Sequence, residues 1–190
     1  YKYKLSETYS TYIVSGFDTP VDGVSEYESA SPESNYRYNL SSPFKAVGNI
    51  GFQIFKIAII DLDLEYVNYS SMKLRNGSDG YDFMDENQSI SEAYKDVLNI
   101  RAGVEFRLGL ISLRAGGAYY DSPYADTEAN RDADYLGFSG GIGYRDKRFF
   151  VDLAYAYAKH REQYFMYPNT QAVVNDFNNN SVLATIGFKF

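Results

Sequence analysis

The sequence has no cysteine and no tryptophan, one histidine and five prolines in 190 residues. Without cysteine there is no disulfide scaffold, no thiolate metal site and no thiol nucleophile. A lone histidine, His160, cannot build a multi-histidine metal site, and its place in an alternating run makes it a lining or loop residue. No apolar run reaches the roughly 18 residues that a transmembrane helix needs, and the mean hydropathy is −0.39. Strands that alternate apolar and polar residues escape that exclusion, because their hydropathy averages out. No G-x-S-x-G elbow and no phosphate-binding loop occurs, which removes the commonest hydrolase and nucleotide signatures. The acidic stretch Asp79, Asp82, Asp85 and Glu86 lacks the spacing of a calcium-binding loop. We therefore expect no enzyme, no cofactor and no metal site. There is also no basic stripe, so nucleic acid is not an expected partner.

What the chain does have is aromatic residues and alternation. It carries 20 Tyr and 13 Phe, and Tyr is common on strand surfaces and at membrane interfaces. The last ten residues place Val182, Ala184, Ile186, Phe188 and Phe190 on one side of a strand and Ser181, Thr185, Gly187 and Lys189 on the other, with Leu183 out of pattern. The same pattern is expected over 1–15, over 35–54 as one long strand, and over 58–66, 98–106, 113–119, 136–144 and 151–157. That makes about eight strands, linked alternately by short turns and long connections. The short turns are expected at Phe55-Lys56, around Gly109 and at Arg145–Arg148. The long connections are expected as loops at 16–34, 75–93, 122–133 and 167–178, which together hold most of the acidic charge.

A strand set of this kind is expected to form an all-β, antiparallel transmembrane β-barrel, with apolar residues toward lipid and polar ones toward the lumen. The inverted arrangement, a soluble barrel with the apolar face inside, shares this periodicity. Tyr at strand ends and aliphatics at their centres favour lipid outside. The predicted lumen-lining charges are Arg37, Lys45, Asp61, Asp63, Glu65, Arg101, Glu105, Arg107, Arg114 and Asp152. Small residues take the remaining inward positions: Gly103, Gly116, Ala118, Gly137, Ser139, Gly141, Gly143, Ala154 and Ala156. A closed eight-stranded barrel is filled by its own side chains, so this small-walled stretch is the candidate passage for a ligand or plug. Ile186, Phe188 and Phe190 are the expected C-terminal signal for the barrel-assembly machinery. Lipid and lipopolysaccharide are the expected surroundings, with the acidic loops outside the cell.

Two longer stretches carry a family likeness. Tyr38-Asn-Leu-Ser-Ser-Pro-Phe-Lys-Ala-Val-Gly-Asn-Ile-Gly-Phe, followed by Asp61-Leu-Asp-Leu-Glu-Tyr-Val-Asn-Tyr-Ser, resembles the outer-membrane long-chain fatty acid transporter family (FadL/TodX) in its Bacteroidetes-type members. Further likeness lies at Leu98–Arg107, Leu113–Tyr124 and Gly143–Asp152, so the resemblance covers residues 36–190. It implies a barrel of about 14 strands with an N-terminal plug, carrying hydrophobic compounds such as fatty acids passively inward. With room for about eight strands and no plug segment, the chain looks like the C-terminal part of such a barrel, and Tyr1 reads as a processed or truncated start. No binding residue of the family carries over. The alternative reading is a small self-contained eight-stranded barrel with a structural or adhesive role.

Overall fold

The computed structural model describes residues 1–21, 24–167 and 170–189. Strands account for 67% of the structure and helix for 7%, which makes the protein all-β and antiparallel, as alternation predicts. The strands are β1 (Lys2–Tyr9), β2 (Tyr12–Val21), β3 (Val24–Ala30), β4 (Ser34–Ser41), β5 (Phe44–Ile54), β6 (Ala58–Asn68), β7 (Lys73–Arg75), β8 (Asp96–Leu108), β9 (Ile111–Tyr120), β10 (Tyr135–Arg145), β11 (Phe149–Tyr164) and β12 (Val173–Phe188). One helix, α1 (Met84–Ala93), follows β7. No helix among the described residues is long and apolar enough to cross a membrane.

The chain divides into two compact units, one of residues 1–42 and 72–88, the other of residues 43–71 and 89–190. In the first, β1, β4 and β7 form a three-stranded sheet and β2–β3 a separate hairpin. Its apolar centre is Phe83, only 7% exposed, which meets the rings of Tyr36, Tyr38 and Tyr81 at 6.3, 5.7 and 5.0 Å. Asn87 ties helix to strand by accepting from the Leu74 N–H at 2.8 Å and donating to the Leu74 carbonyl at 2.9 Å.

The second unit is a seven-stranded antiparallel sheet in the order β12-β11-β10-β9-β8-β6-β5. Except where β7 and α1 intervene, each strand pairs with the next in sequence, and tight turns explain why. Phe55 at φ 51° and Gly109 at φ 67° supply the left-handed backbone that the β5–β6 and β8–β9 turns require, and Asp146 N–H donates to the Phe149 carbonyl at 2.9 Å across the third. β5 and β12 are the sheet's edges, so the described strands form a meander and not a closed barrel.

Register then sorts the side chains. Cross-strand partners lie on the same face, so Leu62, Ala102, Gly117, Phe138 and Tyr157 form one row, and Phe106, Leu113, Ile142, Leu153 and Ala184 another. This face is apolar over its whole width and is uncovered: Phe52, Phe138 and Val182 are 57, 55 and 73% exposed. Among the described residues, only Ala58, Val67, Phe83 and Val97 are buried hydrophobics.

Several expectations need correction. The expected loop 16–34 is mostly the β2–β3 hairpin. The long strand expected over 35–54 is interrupted at Ser42-Pro43, because proline has no N–H to offer a ladder, and its halves belong to different sheets. The first expected strand is likewise split, into β1 and β2. The expected loop 75–93 contains α1, and β12 already begins at Val173 inside the expected loop 167–178. The loop at 122–133 has no strand or helix, as expected, and is anchored: Asn130 donates to the Gln163 carbonyl at 2.9 Å and accepts from its N–H at 2.6 Å. Phe190 lies outside the described residues; Ile186 and Phe188 are exposed on the apolar face of β12.

Candidate functional site

The face opposite the apolar rows collects nearly every residue singled out in the sequence. Asp61, Gly103, Gly116, Ser139, Ala156 and Ser181 are register partners across six strands, and so are Asp63, Arg101, Ala118, Gly137, Ala158 and Asn179. Glu105, Arg114, Gly141, Ala154 and Leu183 form the next row, followed by Arg107, Ser112, Gly143, Asp152 and Thr185. Leu183 is the residue that broke the terminal alternation, and it is the apolar intruder on this polar face. Arg37 is set apart from the rest, on β4 in the smaller sheet.

The charges are arranged as pairs, and these offset the repulsion that alternate carboxylates on β6 would otherwise suffer. Lys45 Nζ lies 2.6 Å from Glu65, which also accepts from Asn99 Nδ2 at 3.1 Å. Arg101 lies 3.5 Å from Asp63 and donates to the Tyr120 hydroxyl at 3.2 Å. Toward the short turns, Arg114 donates through Nε to Glu105 and through Nη1 to Asp152, both at 2.7 Å. Arg107 also donates to Glu105, at 2.5 Å, and Arg145 stands 3.9 Å from Asp152 and 5.2 Å from the Phe150 ring centre. The Arg114 guanidinium thus reaches from β9 to β11 across β10. Gly143 makes that crossing possible, since a Cβ there would lie against both Asp152 and Arg114. Gly103 similarly leaves room for Asp61, whose carboxylate would be 2.8 Å from a Cβ.

Between the ion pairs and the long connections lies a recess of about 430 Å³. Its floor is Gly116, Ala118, Gly137, Ser139, Ala156 and Ala158, with Arg101, Tyr135, Asn179 and Ser181 at the margins. The ring of Tyr135 meets Tyr120 edge-on at 5.5 Å, and His160 stacks on Phe177 at 4.5 Å. A sequence reading by residue type passes over Tyr120, Tyr135 and Asn179. Their signal was positional, since each shares strand parity with a charged or small residue already assigned to this face.

Chemically the face offers paired charges and a small-walled, partly apolar floor. Among the described residues no group of His, Asp and Glu is disposed to hold a metal ion. Asn99, only 5% exposed, leaves its Oδ1 without a partner. Beyond the β10 register, Arg161 clamps Asp176 at 2.7 Å on the projecting β11–β12 hairpin and holds its carboxyl below the ordinary aspartate range. Comparison with protein-family models, with curated proteins and with solved structures gave no match to this chain.

Proposed function

We propose that the seven-stranded sheet is part of the wall of a transmembrane β-barrel in a bacterial outer membrane, and that the barrel admits hydrophobic compounds passively. Long-chain fatty acids are the solute class that the resemblance to the FadL/TodX family implies. The observation that carries this reading is the length and exposure of the apolar face. On β8 the apolar series runs Leu98, Ile100, Ala102, Val104, Phe106 and Leu108. Ten residue steps at about 3.3 Å, tilted by about 40°, rise about 25 Å, the height of the apolar band of an outer-membrane barrel. A face of that extent exposed to water would be an aggregation hazard. Against lipid it is at home, while the paired charges face a wet interior.

In this arrangement the short turns are periplasmic and the long connections extracellular. Divalent ions bridge the acidic residues Asp79, Asp82, Asp85 and Glu86 to lipopolysaccharide there. The strand ending in Ile186 and Phe188 is the one read by the assembly machinery. The Gly and Ala floor lets an apolar solute lie close to the backbone, and the flanking ion pairs keep the remainder of the lumen hydrated.

The test uses the full-length protein reconstituted in liposomes loaded with a fatty-acid-sensing dye. Ala156→Phe puts a large ring on the recess floor without touching an ion pair. Assembly into lipid is expected to persist while entry of a long-chain fatty acid falls at least several-fold. Equal uptake by the variant and the parent would remove this floor from the path.

A further inference from the structure

The sheet has two strand edges without partners, β5 and β12. All six pairings within it are antiparallel, so successive strands reverse direction. At the ends of a seven-strand array, β5 and β12 therefore run the same way. Joining them to each other would make a parallel ladder, and so would joining the β5 edge of one copy to the β12 edge of another inserted in the same sense. Pairing β5 with β5 of a second copy would be antiparallel, but only with the two copies inserted in opposite senses. Neither edge can stay open in hydrocarbon, where no water satisfies its N–H and C=O groups. Antiparallel closure thus needs an odd number of further strands between β12 and β5.

We propose that β5 is paired by the polypeptide that precedes Tyr1, as the first of that odd set, in a larger single-chain barrel. β1 runs antiparallel to β4 in unbroken register from Tyr9↔Ser34 to Lys2↔Ser41. The ladder continues to Tyr1, whose carbonyl accepts from the Ser42 N–H and whose amino group donates to Ser42 Oγ, both at 2.9 Å. Only Pro43 separates Ser42 from the start of β5. Polypeptide continuing past Tyr1 emerges beside the first residues of β5, running opposite to them. The same register, carried on without a bulge, sets the second residue before Tyr1 opposite Phe44 and the fourth opposite Ala46. The proposal takes from the membrane-wall reading only the requirement that the edge be closed.

Because this chain has no cysteine, the pairing can be read by cross-linking. In the full-length protein in native membranes, Ala46→Cys is combined with a cysteine scanned through the residues upstream of Tyr1, then oxidised. An intramolecular disulfide is expected to peak at the fourth upstream residue and to weaken at its immediate neighbours, whose side chains face the other way. Gly48→Cys with Leu64→Cys, register partners on β5 and β6, is the positive control. If Ala46→Cys impairs assembly, Asn49→Cys replaces it, with the maximum moved to the seventh upstream residue. No disulfide at any scanned position while the control pair forms would overturn the proposal. A cysteine-46 dimer between two copies, or a mature polypeptide whose first residue is Tyr1, would do the same. A cross-linked protein that admits no fatty acid would defeat the transport reading and leave the pairing intact.

Discussion

Leu64→Arg and Asn49→Arg together separate the two faces of the sheet energetically. Leu64 lies one residue from the middle of β6, in the apolar row with Gly48, Ile100, Tyr119 and Leu136, and is 39% exposed. That position is about 3 Å along the strand from the middle of β6, so in a bilayer its side chain meets hydrocarbon near the midplane. An arginine there should cost about 2–4 kcal/mol, somewhat reduced by snorkelling. Asn49 lies on the other face, directly opposite Asp63. An arginine at 49 gains a carboxylate neighbour in a wet setting, an interaction of roughly 0–1 kcal/mol. Folding of the full-length protein into vesicles, followed by gel mobility across a urea series, should give a gap of about 2–4 kcal/mol between the variants. Equal stabilities, or a larger cost at Asn49 than at Leu64, would refute the assignment of the apolar face to lipid.

Three further outcomes follow from described contacts. Arg114→Gln removes the bridge between Glu105 and Asp152; with these groups partly exposed the loss should be about 1 kcal/mol, seen in the same urea series and abolished by 1 M salt. Phe83→Ala empties the aromatic centre of the smaller unit and should cost it about 3 kcal/mol, read as faster proteolysis within 1–42 and 72–88 while the seven-stranded sheet keeps its protection. For Asp176, ion pairing depresses the native carboxyl, so its contribution to hairpin stability is present above the ordinary aspartate range and is lost as pH falls through the lowered native value. NMR titration should place its midpoint below that of a free aspartate, and Arg161→Gln should return it to the ordinary range.

Much of the larger unit was legible because its strands alternate so strictly. From Leu98 to Tyr157 each apolar residue predicted to share a face does so, and the turns at Phe55, Gly109 and Asp146 lie where the pattern reversed. The smaller unit was not legible by that means. Glu26, Tyr27 and Glu28 form a strand with no apolar face, since the β2–β3 ribbon pairs only with itself, and carboxylates with Pro20 and Pro32 read as loop. The helix did leave a signal: Asp82 Oδ1 accepts from the Met84 N–H at 3.1 Å, with Asp85 and Glu86 in the first turn. That signature was masked by the turn dipeptides Asn76-Gly77 and Asp79-Gly80. For the site, residue parity revealed which side chains share a face, but pairing partners depend on register. No sequence rule foretells that Arg114 passes over β10 to Asp152.

That crossing has a mechanical consequence. A guanidinium anchored on two strands with a third beneath it acts as a transverse tie, resisting lateral sliding and splaying of β9, β10 and β11 near the short turns. No ion pair crosses the glycine and alanine rows farther up, where stiffness comes from backbone ladders alone. The wall is therefore braced at one rim and compliant at the other, and any bulky object entering between the strands' upper halves would widen that rim while the tied end kept its curvature.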